Sequence, residues 1–394
     1  MQQDTRKAAA AVTVALFLLC AVLLTQSVYP AHADAQNCDA LPTAAVPHAA
    51  GSRPKHIFII VMENQTYDAT FAAGSKAPFL SKCLATKGLL LTNYYGIGHN
   101  SLDNYIAMVS GQSPNPDTQA DCPVFSEFSL SKPGLDDYGQ AVGHGCVYRT
   151  DVITIANQLE EKGLKWRGYI EGMKSACQHP NPNEYDPCQR GKDGCNQYAT
   201  KHNPFVYFHS IKPEDCSAND VPLDQLKPDL DNVETTPNLS FIVPNLCNDG
   251  HDHDSTTGKC ADGKTDGGLA AIDAFLLNEV PMIMNSKAYQ QDGMLIVTFD
   301  EAETVGDYAD AHSCCNETAE PNTRFPGLFG EGGGKIGAVI ISPFVKPSIP
   351  GSPNTHPYNH YSLLRSLETL FALSHLGYAE KPNPGEFGTD VFGQ

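Results

Sequence analysis

HIFIIVMEN, residues 56–64, decides the fold. Residues 57–62 are apolar without interruption and rich in β-branched side chains. The run is too short for a buried helix, so it reads as a strand covered on both faces, as in a parallel sheet. An acid and an amide, Glu63-Asn64, then end it abruptly. Outward from this strand the pattern alternates. Pro78 opens a helix over residues 78–86, and a second strand follows over 89–94. A tight Gly96-Ile97-Gly98 turn leads into a helix over 101–109, and a further helix and extended segment fall at 151–162 and 164–169. A short strand at 240–243 precedes a helix from about 269 to 284. Strands over 293–299 and 336–342 and a strongly periodic helix over 360–373 complete the series. The alternation predicts an α/β fold with a doubly wound, largely parallel sheet. Residues 112–237 differ in texture, being rich in Pro, Asn, Asp, Gly and Cys, and are expected to be mostly insertions or a cap. Residues 34–394 are expected to form a single domain.

The N-terminus reads as an export signal over residues 1–33. Arg6 and Lys7 flank an apolar run from 8 to about 24, and Ala31-His32-Ala33 offers the small residues a signal peptidase needs. A membrane anchor is the alternative, since the run approaches the ~18 residues a spanning helix requires. Pro30 and the small residues favour cleavage. The expectation is a secreted protein, extracellular or periplasmic, without stable membrane insertion. Of 13 cysteines, Cys20 lies in the signal, and 13 − 1 leaves 12, an even number suited to an oxidising compartment. Cys247 is expected to pair with Cys260, some pairing is expected among Cys177, Cys188 and Cys195, and Cys314 and Cys315 are expected to reach different partners. The formal charge is −19, and losing Asp4, Arg6 and Lys7 with the signal makes it −20. That acidity disfavours nucleic acid and anionic membrane as partners. Any site for an anionic phosphate must then be made locally attractive, as a bound cation would do.

Polar residues collect just beyond the strand ends, where α/β sheets gather their ligands. They are Glu63-Asn64, then His99-Asn100-Ser101-Leu102-Asp103-Asn104, then Asn245 with Asp249-Gly250-His251-Asp252-His253-Asp254, then Asp300-Glu301, and finally Asn359-His360. Each has a plain explanation alone: Ser101 as a helix N-cap, the acids as solvated strand ends, His253 and Asp254 as a solvated loop. Recurrence at four or five strand ends is what argues for a site.

The motifs MENQTYD, GHNSLDNYIAMVSG, KHNPFVYF, PNLCNDGHD, VTFDEAE and NHYSLLRSLE, in this order, resemble those of the phosphoesterase family. That family groups bacterial phospholipases C with metal-dependent acid phosphatases, and its fold is similar to that of alkaline phosphatase. The resemblance covers roughly residues 55–375. It implies that Ser101 is the nucleophile and that Glu63, Asn64, Ser101, Asp300 and Glu301 bind a metal. It implies that His202, His251 and His360 form a histidine-rich half of the pocket, with Asp249, His251 and His360 as a possible second metal site. His99, Asn104 and Asn203 are expected to bind substrate. One position departs from the pattern: Asp103 stands where proline is expected.

The chemistry is coherent. A serine hydroxyl is a weak nucleophile, and a cation beside it is one way to ionise it. Oxygen ligands suit a hard divalent ion such as Mg, Ca or Mn, and the histidines admit Zn. Imidazoles acting as proton donors would give an acidic pH optimum. The expected function is a phosphomonoesterase of acid-phosphatase type acting on small phosphorylated substrates. The alternative is a phospholipase C or other phosphodiesterase acting on a phospholipid headgroup, which the end of the chain soon after the last helix disfavours. A non-catalytic binding module would not need Ser101, Glu63, Asp300 and His360 together. A sulfatase would need the C/S-x-P-x-R motif, which is missing around Ser101.

Overall fold

A computed structural model describes residues 38, 41–42, 52–191, 194–253, 256–260, 263–315, 317, 321–328, 330–349 and 352–392. The export signal expected over 1–33, and Asp254, lie outside the described residues. Among the described residues the main sheet has seven strands: β1 (His56–Met62), β2 (Leu89–Leu91), β3 (Trp166–Ile170), β4 (Asp220–Pro222), β5 (Leu239–Val243), β6 (Gly293–Phe299) and β7 (Ala338–Ile341). Their order is β2-β7-β6-β1-β5-β3-β4. β6, β1, β5, β3 and β4 pair in parallel, and β7 alone runs against both its neighbours, β6 and β2. Every residue of β1, β5 and β6 is buried, which is why these strands are mostly apolar and do not alternate.

The helices that matter for the site are α1 (Ser101–Ser110), α2 (Ile155–Glu161), α3 (Leu269–Asn285) and α4 (His360–Leu370). The strand expected over 89–94 breaks after Leu91 and resumes as Tyr94–Tyr95, which pairs in parallel with Tyr358–Asn359. This small ribbon leads on one side into the loop before α1 and on the other directly into α4. Residues 112–237 do carry a hairpin (Ser129–Leu135 with Ala141–His144) and loops, but they also supply β3, β4 and α2 to the core layers.

Six disulfides join Cys38–Cys83, Cys122–Cys146, Cys177–Cys216, Cys188–Cys195, Cys247–Cys260 and Cys314–Cys315. The Cys247–Cys260 and Cys188–Cys195 pairs agree with expectation. The separate partners expected for Cys314 and Cys315 do not exist. The other ten described cysteines pair with one another, and the adjacent pair, 3.7 Å apart at Cα, closes on itself. Among the described residues, no helix is long and apolar enough to cross a membrane.

Candidate active site

The register of β1 and β6 builds the floor of the site. Met62 stands opposite Phe299, so the next residues, Glu63 and Asp300, leave the sheet side by side. Asp300 N–H donates to the Met62 carbonyl at 2.9 Å, and Glu63 N–H donates to the Asp249 carbonyl, also at 2.9 Å. Three chain segments are thereby locked together by backbone alone. Asn64 turns the chain in the left-handed region, with φ 36°, a costly conformation for a non-glycine residue that recurs at functional sites. Its N–H donates to Asp300 Oδ1 (3.0 Å) and its amide Nδ2 to Glu301 Oε1 (2.8 Å).

Helix α1 brings the nucleophile candidate to this floor. All ten of its residues are buried, Asn100 precedes it in extended conformation, and Gly111 ends it at φ 68°, a conformation natural to glycine. Ser101 Oγ donates to Glu63 Oε2 at 2.8 Å. One turn on, Tyr105 donates from its hydroxyl to Glu63 Oε1 at 2.7 Å, and its ring stacks on His202. His202 Nε2 lies 3.3 Å from the same oxygen without a hydrogen-bond partner. Asp121 Oδ1 accepts the Leu102 N–H (3.1 Å) and Asp121 Oδ2 accepts from Lys201 Nζ (3.0 Å). Lys201 Nζ also stands 3.4 Å from Ser101 Oγ.

Five carboxyl groups are buried around the serine: Glu63, Asp103, Asp249, Asp300 and Glu301. Burial raises the pKa of each. Proximity to Asp300 adds to this for Glu63, Glu301 for Asp300, Asp103 for Glu301, Asp121 for Asp103, and Asp252 for Asp249. Burial alone would discharge Lys201, but Asp121 and Glu63 outweigh it and hold the ammonium charged. His202 is pushed down by burial and by Lys201, so it is neutral except in acid. Asp103 crowds Gly98 so closely that a Cβ there would stand 2.3 Å from its carboxylate oxygen, and only glycine fits.

The donor chemistry suits a hard divalent cation. Asn64 Oδ1, Asp300 Oδ2 and Glu301 Oε2 are buried without hydrogen-bond partners, and buried polar atoms are rarely left so. Among the described residues, no group of three or more His, Cys, Asp or Glu side chains is arranged to hold a metal. A site here would therefore draw on the Asn64 amide and the Ser101 hydroxyl beside the carboxylates.

Other expected residues are used differently. His360 Nε2 donates to the Asp300 carbonyl (2.6 Å) and Nδ1 accepts from the Tyr94 hydroxyl (3.2 Å). Both nitrogens are spent, and burial pushes its pKa down to about 4, so His360 props Asp300 as a neutral ring rather than facing Ser101. Asn104 Oδ1 accepts the N–H groups of Ile97 and Gly98, and its Nδ2 donates to the carbonyls of Gly98 and Asn100. It shapes the loop before the nucleophile and has no donor left for substrate. Asn203 is fully buried, with Nδ2 donating to Asp220 Oδ2 (2.7 Å) and Oδ1 without a partner. Asp249 turns its own loop, with Oδ1 accepting the His251 N–H. His251 is half-exposed at the rim, its Nδ1 3.9 Å from Asp252, and His253 is exposed. Among the described residues, Asp249, His251 and His360 do not form a group arranged to hold a second metal. His99 is buried with Nδ1 3.8 Å from Glu301 Oε2, beside the Asp310 backbone, and burial lowers its pKa. Sequence reasoning missed Tyr105, Lys201 and Asp121. Tyr105 carried a signal, the i+4 spacing from Ser101, and Lys201 adjoined His202, whereas nothing local marked Asp121.

Comparison with known proteins gives likenesses that include the following three. A probable acid phosphatase of Kluyveromyces lactis is 27% identical over 332 residues, covering 83% of this chain and 60% of that protein, so the chain spans three-fifths of its relative's length. A phosphatidylinositol-3-phosphatase of Mycobacterium tuberculosis is 25% identical over 354 residues, covering 90% of this chain and 88% of that protein. A solved structure from Vibrio parahaemolyticus, in the alkaline phosphatase superfamily, aligns with a TM-score of 0.47 and 14% identity over 88% of this chain and 71% of that one. The family match itself extends over residues 71–374, well over half of the 394 residues, and the chain belongs to the Phosphoesterase family.

Proposed function

We propose that this chain is a secreted, divalent-metal-dependent phosphoesterase of acid-phosphatase type, hydrolysing phosphate monoesters through a phosphoserine on Ser101. The observation that carries the reading is Ser101 at the start of a buried helix, its hydroxyl 2.8 Å from a carboxylate that can take its proton. The acid phosphatase and lipid-phosphate phosphatase among its relatives support the substrate class. Asn64, Asp300 and Glu301, with Glu63 and Ser101 beside them, would hold the ion. When bound it supplies positive charge that keeps these carboxylates ionised and attracts the phosphate.

The chain's own groups account for the proton movements. Ser101 gives its proton to Glu63 Oε2 as Oγ bonds to phosphorus, and the bond from phosphorus to the leaving oxygen breaks. The departing oxygen takes a proton from His251, placed at the open rim. Water then attacks phosphorus and returns a proton to His251, the Oγ–P bond breaks, and Ser101 recovers its proton from Glu63. Two displacements leave the configuration at phosphorus retained. Burial lowers the His251 pKa, so the imidazolium is populated in acid, in keeping with an acidic optimum. The test compares hydrolysis of aryl phosphate monoesters with phosphocholine diesters, with and without chelator. Faster diester cleavage would turn the assignment to a phospholipase C or other phosphodiesterase.

A further inference from the structure

Among the described residues, Lys201 is the cation whose ammonium stands at Ser101, 3.4 Å from Oγ. Its side chain is 16% exposed, and burying an ammonium is expensive unless charges or hydrogen bonds receive it. One such partner is Asp121, but Asp121 does more than neutralise. Its second oxygen holds the Leu102 N–H, so one carboxylate fixes both the lysine and the first turn of the nucleophile's helix in a single frame. Lys201 Nζ reaches past that carboxylate to within 3.4 Å of Ser101 Oγ. A pure surface ion pair would not need this second contact. The ionisable groups around the serine are mostly carboxylates, Glu63, Asp103, Asp249, Asp300 and Glu301, which repel a phosphate when charged. An ammonium is a compact point charge well matched to a single phosphate oxygen.

We propose that Lys201 is a catalytic residue whose ammonium binds a nonbridging oxygen of the phosphoryl group while that group is transferred to and from Ser101 Oγ, with Asp121 as its positioning residue. This rests on the reading of Ser101 as the nucleophile. Lys201 forms no covalent bond and transfers no proton. It stabilises negative charge that grows on the phosphoryl oxygens as the serine attacks.

The test uses the whole mature protein, an aryl phosphate, and inorganic phosphate as a competitive inhibitor. Lys201→Met should lower kcat by roughly 10²–10³-fold, the loss typical when one preorganised donor to a developing oxyanion is removed. It should also weaken inhibition by inorganic phosphate at least tenfold or so. Lys201→Cys supplies a second variant should the first fold poorly. The other described cysteines are all in disulfides, so the introduced thiol can be alkylated selectively with 2-bromoethylamine, its thiolate forming the S–C bond as bromide leaves. Restoring the positive charge this way should recover both turnover and phosphate inhibition, while alkylation to a neutral adduct should recover neither. Unchanged phosphate inhibition in Lys201→Met, with turnover within about threefold of wild type, would mean that the lysine only braces Asp121, and the inference falls. Hydrolysis that survives Ser101→Ala intact would overturn the proposed function instead, and this inference with it.

Discussion

Ser101 opens α1, yet its hydroxyl is not used to hold the helix, so mutation can test the proposed nucleophile apart from the fold. Its Oγ hydrogen bonds run to Glu63 and Lys201, not to its own helix's N–H groups, so Ser101→Ala removes little that holds α1 in place. Turnover should fall by at least ~10³-fold while the melting temperature changes by only a few degrees. Activity above a tenth of wild type in a single-turnover assay would sink the assignment. At this scale sequence and structure diverge in an instructive way. Asn104, Asn203 and His360 have the residue types and motif positions of functional groups. Their polar atoms, however, are largely spent on backbone carbonyls, on N–H groups and on a buried carboxylate. No sequence pattern records whether an amide already has partners. The reverse holds for Lys201 and Tyr105, ordinary residues in a sequence that the fold turns onto Ser101 and Glu63.

The strands were legible because burial on both faces leaves a continuous apolar run, and β1 and β6 stand as expected. β4, three residues among loops, was not, since so short an edge strand has no period to detect. The helices have their expected starts more often than their expected ends: α1 begins at Ser101 and α4 at His360, each just after an asparagine that favours an extended N-cap. In α4 lies a second buried acid far from any proposed chemistry. Glu368 accepts the Leu376 N–H with Oε1 at 2.9 Å, but Oε2 has no partner, and burial raises its pKa to about 9. The folded state therefore holds a proton that the unfolded chain releases above ordinary carboxylate pH. Stability is lost as pH rises from about 4.5 towards 9. Glu368→Gln keeps the accepting oxygen and removes the ionisation that favours the unfolded chain. It should stabilise the protein by about 1–2 kcal/mol at pH 7, after a cost for the new amide donor, and by little near pH 4. Urea titrations at the two pH values decide it, and an equal effect at both would show that charge is not the cause.

Across the whole molecule the same sign applies to the five buried carboxyl groups near Ser101. Each has a raised pKa, whereas the lowered histidines His99, His202, His251 and His360 act in the opposite sense below about 6.5, so the metal-free protein should melt at lower temperature as pH rises from about 6.5 to 8. A divalent cation should oppose the trend, raising the melting temperature most near neutral pH and restoring the activity that chelator removes. Melting curves with and without chelator across that range are the check. A metal-free protein that grows more stable with pH, or stays fully active, would show that these oxygens serve another purpose. That such a cluster existed could be seen in the sequence, because strand ends in a parallel sheet must converge. Which oxygens would remain unpaired could not, because that depends on register, on the turn at Asn64 and on the backbone bonds joining Glu63 to Asp249.

The disulfides carry a consequence for how the molecule comes apart. The most widely spaced pair, Cys38 with Cys83, is separated by only 45 positions, and Cys314 with Cys315 forms a knot tied in its own thread. Covalently the chain is a string of small closed loops with long single-stranded intervals between them. One such interval holds Val305 and Tyr308, 74% and 51% exposed, on the span between β6 and β7. A single chymotryptic cut after Tyr308 would leave the two pieces joined by no covalent bond, held together by β7 between β6 and β2, by the Tyr94–Tyr95 ribbon with Tyr358–Asn359 and by His360 on the Asp300 carbonyl. Such a nicked protein should migrate as one species on a native gel and as two on a denaturing gel run without reductant. A scaffold stapled this way resists local fraying but has no covalent insurance against a cut between its loops.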